Sequence, residues 1–218
     1  MDKRDLIHLS FYTIGLIFSL YGYISKEIPD EFIKQINYTP KKILLMTYNG
    51  LLLTITTIIL GMFVLLYKGV NKRNNNIIKV HSTLSNIAFG IEVIVIIVYW
   101  PLNFINPLLV NSSAYKLGFR LPLIKQFSIH VFPFVICSVE ALTCKLNTDY
   151  MKYVYLSSIG VIYTTVLFIS VKVFKNKYPY SFMYKVNPFF IIFLNIILTI
   201  IACLSIEGVI LLRKKYKK

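Results

Sequence analysis

Between Ile43 and Tyr67 the chain carries no acidic or basic side chain, and between Tyr153 and Val171 it again carries none. At 1.5 Å of rise per residue, a helix over either run is about as long as the 30 Å hydrocarbon core of a bilayer is thick. Lipid offers no partner for backbone N–H and C=O groups, so a lipid-exposed segment of this kind must close its own hydrogen bonds as a helix. Four further apolar runs complete a set of six predicted spans, at 6–24, 43–67, 84–103, 126–144, 153–172 and 188–212. The sequence therefore predicts an all-α, polytopic integral membrane protein, a bundle of six transmembrane helices forming a single domain over 1–218. The first span follows Met-Asp-Lys-Arg but is long for a signal-peptide core and lacks a small-residue cleavage site, so it reads as a helix of the bundle.

Composition agrees. Hydrophobic residues make up 56% of the chain and the mean hydropathy is +0.66, more apolar surface than a soluble domain of 218 residues can bury. The formal net charge of +15 does not point to nucleic acid, because the lysines and arginines flank apolar runs instead of forming one basic stripe with interleaved aromatics. Flanking cations suit membrane lipids as partners. Cys137, Cys144 and Cys203 fall in or beside apolar runs without metal-ligand spacing, and read as small packing residues.

Six crossings put both termini on one side, here called side A, which holds 13 of the 24 basic residues. The positive-inside rule leans from this towards cytoplasmic termini. Two glycosylation sequons, Asn37-Tyr38-Thr39 and Asn111-Ser112-Ser113, fall in loops on the opposite side, side B, which fits the same orientation.

Polar groups inside spans are costly and need a reason. Thr47 lies five residues after Lys42 and enters the second span; His130 lies five residues after Lys125 and enters the fourth. Both helices enter from side B, which predicts that hydroxyl and imidazole share a depth of roughly 7–8 Å below the interface. An imidazole that removes a hydroxyl proton turns a weak alcohol into a nucleophile. The bland alternatives are a threonine bonded to its own helix and a packing histidine. Pro133 cannot donate to the Ile129 carbonyl, so the fourth span should break beside His130. Tyr99-Trp100-Pro101-Leu102 and Tyr178-Pro179-Tyr180 reach side B either as an interfacial aromatic belt or as site residues. Glu92, Glu140 and Glu207 lie within spans at different depths, which leaves a small transporter as an alternative reading.

Four stretches, in order along most of the chain, carry a resemblance. They are Leu45-Met46-Thr47-Tyr48-Asn49-Gly50-Leu51, Val98-Tyr99-Trp100-Pro101-Leu102, Ser128-Ile129-His130-Val131-Phe132-Pro133 followed by Glu140, and Tyr178-Pro179-Tyr180. Together they resemble the androgen-induced gene 1 and androgen-dependent TFPI-regulating protein family, most closely its fungal and protist type. The resemblance implies a membrane-embedded threonine hydrolase that cleaves fatty acid esters of hydroxy fatty acids with neither cofactor nor metal. It places the nucleophile on Thr47 and the base on His130. Asn49, Tyr99, Trp100 and Tyr178 are candidates for substrate contacts. It further implies a lipid substrate and residence in the endoplasmic reticulum, another endomembrane or the plasma membrane. The chain departs from the family pattern at Glu140, where many relatives carry Asp, and at Ser181, where a second Pro is common. A non-catalytic lipid-binding membrane protein is the other alternative.

Overall fold

The computed structural model describes residues 3–25, 42–67, 75–143 and 149–216. The described residues form helices α1 (Lys3–Ile24), α2 (Met46–Tyr67), α3 (Asn75–Ile105), α4 (Leu108–Lys116), α5 (Leu123–His130), α6 (Phe132–Thr143), α7 (Met151–Lys172) and α8 (Pro188–Tyr216), with 3₁₀ turns at Lys42–Leu44 and Ser181–Tyr184. Six stretches are long and apolar enough to cross a membrane: α1, α2, α3, α5 with α6, α7 and α8. The protein is an all-α, polytopic membrane protein, as its apolar runs predict. The sequon Asn37-Tyr38-Thr39 and Cys144 lie outside the described residues.

The fourth span is interrupted where Pro133 predicts. Helix α5 ends at His130, Val131 donates its N–H to Phe127, and α6 resumes at Phe132. Pro133 has no N–H to return to Ile129, so the ladder cannot run through.

Helix α3 is the axis. It packs against α2, α6 and α8 and, less extensively, α4, α5 and α7. Of its apolar window 56% is buried, against 17% for α8, which leaves α8 largely facing lipid. The third span starts at Asn75 instead of 84 because His81, Ser82, Ser85 and Asn86 are buried helix residues, not interfacial ones.

Polar residues stack along this axis at two-turn intervals, a spacing that returns side chains to one helix face. On α2 they are Thr47 and Thr54; on α3, Glu92 and Tyr99; on α5 and α6, His130 and Cys137. The middle level is closed: Thr54 Oγ1 donates to Glu92 Oε1 at 2.9 Å and lies 3.4 Å from Cys137 Sγ. Towards side A, Tyr12 donates to Glu140 Oε2, and Glu140 Oε1 lies 3.2 Å from His81 Nε2, at ion-pair distance though not aligned as a hydrogen bond. Glu207 pairs instead with Lys152 at 3.3 Å. The three span acids therefore answer to separate partners at separate depths.

Two lysines fasten α1 at side B. Lys42 donates to the Tyr23 carbonyl and Lys125 to the Ser25 carbonyl and hydroxyl. Cations at a helix C-terminus meet its unpaired carbonyls and the negative end of its dipole. Lys125 is only 2% exposed, so it is not the snorkelling interfacial lysine its position suggests. The two lysines nevertheless mark one level, because they bind carbonyls two residues apart on one helix.

Gly22 lets α1 approach α5. A Cβ there would fall 2.9 Å from the Ser128 backbone oxygen and 3.3 Å from a Leu51 methyl. Backbone cannot yield as a side chain end can, so Gly22→Ala is expected to cost about 1–3 kcal/mol. A lowered midpoint of thermal unfolding in detergent measures this; an unchanged midpoint would mean that α1 is not held at this distance.

Candidate functional site

An apolar cavity of about 80 Å³ opens among α2, α3, α7 and α8. Aliphatic walls come from α3 and α8, chiefly Ile94, Val98, Ile191 and Leu198. Its side-B end is closed by Tyr180, Phe182 and Met183 from the second 3₁₀ turn, with Val110 of α4. Among the residues that line it none is charged.

Thr47 lines this cavity and is 7% exposed. It sits in the first turn of α2, directly after the 3₁₀ turn that Lys42 anchors. Other helix threonines, including Thr56, Thr57, Thr83, Thr164 and Thr199, spend their hydroxyls on the carbonyl four residues back. Among the described residues Thr47 makes no such bond and no other hydrogen bond. Its hydroxyl stands on the wall of an apolar chamber.

His130 ends α5 and is 5% exposed. Its ring stacks on Tyr99, with centroids 3.3 Å apart and planes 14° apart. Nδ1 is buried without a hydrogen-bond partner among the described residues. Tyr99 lines the cavity and places its hydroxyl 3.3 Å from Gln126 Oε1, while Gln126 Nε2 donates to the Leu121 carbonyl at 2.8 Å. Their sequence neighbours also meet, since Tyr48 and Ile129 share one buried cluster with Leu45. Thr47 and His130 thus stand at the side-B end of the same axis, Thr47 on the cavity wall and His130 against Tyr99. No hydrogen bond joins their side chains.

The remaining sequence candidates sit elsewhere. Trp100 packs among Tyr99, Phe104 and Phe127, and is not part of the cavity wall. Tyr178 meets Tyr184 edge to face, and its backbone N–H donates to the Tyr184 hydroxyl at 2.8 Å. Asn49 follows Tyr48 on α2 and likewise does not line the cavity.

Three polar residues that the sequence did not single out do line it: Tyr163, Thr164 and Asn195. Tyr163 donates to the Leu44 carbonyl at 3.1 Å, tying α7 to the turn before Thr47. Asn195 is the only amide in the apolar run of α8, and that isolation was the available signal.

A bundle whose described residues include six helices long and apolar enough to cross a membrane belongs to the class of polytopic membrane proteins. The chain itself belongs to the FAR-17a/AIG1-like protein family, which it matches over residues 6–213. No curated protein and no solved structure matches it.

Proposed function

We propose that this protein is a lipid ester hydrolase with Thr47 as nucleophile and His130 as base, acting on fatty acid esters of hydroxy fatty acids. The observation that carries the reading is the Thr47 hydroxyl, set on the wall of the apolar cavity and not bonded to its own helix. Family membership supports the class.

The acyl chain lies in the cavity, where each buried CH₂ contributes about 0.8 kcal/mol without any polar contact. The ester carbonyl then meets Thr47 near side B. His130 takes the hydroxyl proton as Oγ1 bonds to the acyl carbon. Collapse of the tetrahedral adduct breaks the ester C–O bond, and His130 returns the proton to the leaving alkoxide. A water deprotonated by His130 then cleaves the acyl-threonine, releasing the fatty acid and restoring the hydroxyl. Tyr99, which lines the cavity, holds the imidazole by stacking.

The test is hydrolysis of a fatty acid ester of a hydroxy fatty acid by the purified protein and by His130→Ala. The expected result is release of both acids by the unmodified protein and a fall of about a hundredfold or more in the variant. Equal rates would remove His130 from the mechanism. Specific lipid binding with no hydrolysis of any ester in a panel would instead favour a non-catalytic lipid-binding protein.

A further inference from the structure

The cavity has a second polar place besides Thr47. Asn195 projects from the apolar run of α8, and an amide there is costly unless its hydrogen bonds are made. Its Nδ2 donates to the Gly160 carbonyl at 2.8 Å and to Thr164 Oγ1 at 2.6 Å. Both partners require a donor. The Gly160 carbonyl can only accept, and Thr164 has given its own hydrogen to that same carbonyl at 2.9 Å. The amide therefore cannot be turned round, and both its hydrogens are used. That leaves Oδ1, to which no donor among the described residues reaches. Gly160 makes the arrangement possible: a Cβ there would fall 3.2 Å from Thr199 Oγ1 and 3.4 Å from Asn195 Nδ2.

Asn195 and Thr164 both line the cavity. With Thr47 and Thr164, Asn195 is one of three polar side chains in a wall otherwise made of aliphatic and aromatic ones, and it keeps one acceptor unused among the described residues. Such a group favours a ligand that brings a hydrogen there, and loses little with a chain that brings none only if water takes its place. Thr47 is in the first turn of α2 and Asn195 in the second turn of α8, and both helices enter from side B. Along its own helix, Asn195 lies seven residues after Pro188, whereas Thr47 directly follows Met46.

We propose that Asn195 forms a hydroxyl-recognition subsite, so that the cavity selects lipids whose chain carries a free hydroxyl at one set distance from the ester group. This rests on the hydrolase reading for the place of the ester. The subsite itself is read by binding, independently of turnover.

The experiment uses ether analogues, which cannot be hydrolysed. Saturated chains of one length, unsubstituted or with a single hydroxyl moved carbon by carbon, compete with a fluorescent fatty acyl probe for the full-length protein in detergent. The expected profile has one maximum, with the preferred hydroxyl position binding about tenfold tighter than the unsubstituted chain. Asn195→Leu should flatten the profile while leaving the unsubstituted chain bound as before or more tightly. A flat profile with the unmodified protein overturns the subsite, as does a maximum that survives in Asn195→Leu. If the leucine variant does not fold, the profile of the unmodified protein decides alone. A maximum found for a protein that hydrolyses no ester would overturn the hydrolase reading and leave the subsite standing.

Discussion

Thr47→Ala is expected to lower ester hydrolysis by about a thousandfold or more while the protein stays folded. The two halves of that expectation have separate grounds. Activity falls because alanine has no oxygen to carry the acyl group, and the neighbouring threonine hydroxyls are committed, Thr54 to Glu92 at 2.9 Å and Thr164 to Gly160 at 2.9 Å. Folding survives because the Thr47 hydroxyl makes no hydrogen bond among the described residues, so its removal strands no buried partner. Thr47→Ser keeps the oxygen and should keep a measurable part of the rate, whereas Thr47→Val keeps the shape and should be as inactive as alanine. Rates measured with equal amounts of folded protein check this series. Undiminished hydrolysis by the valine variant would assign the nucleophile elsewhere.

Glu140→Ala should have the largest effect on stability, about 2–3 kcal/mol. Its carboxylate accepts from Tyr12 and lies 3.2 Å from His81, and it is 2% exposed. Alanine leaves a phenol and an imidazole facing an apolar interior between α1, α3 and α6. Gly61 adds room without adding a partner, since a Cβ there would already lie 2.8 Å from the Tyr12 hydroxyl. The double variant, Tyr12→Phe with Glu140→Ala, should lose less than the two single losses added together, because both remove the same hydrogen bond. Thermal or denaturant unfolding in detergent reads both. A Glu140→Ala protein as stable as the parent would mean that this level carries no net binding between the helices.

The crossings were legible because uncharged runs such as Ile43–Tyr67 leave the chain no alternative in lipid. The start of the third helix was not, since His81, Ser85 and Asn86 interrupt its apolar run. They are buried against neighbouring helices, and only tertiary packing decides that. Thr47 and His130 could be matched by motif and by their equal spacing from Lys42 and Lys125. What the sequence does not display is that both lysines bind the end of α1. The stacked Tyr99 was equally hidden, because adjacency of α3 and α5 depends on how non-neighbouring segments pack. Asn195 went unnoticed because an amide in an apolar helix reads as one costly residue until α7 is seen to satisfy its hydrogens and leave its oxygen.

The most direct test of the central claim is to find the acyl group on the protein. Ester substrate is mixed with the unmodified protein, quenched in acid within the first turnover, and the chain is mapped by peptide mass. An acyl mass on the peptide containing Thr47, absent from Thr47→Ala, is the predicted result. An acyl mass on another residue, or ester cleavage with no covalent intermediate at any time, would contradict it.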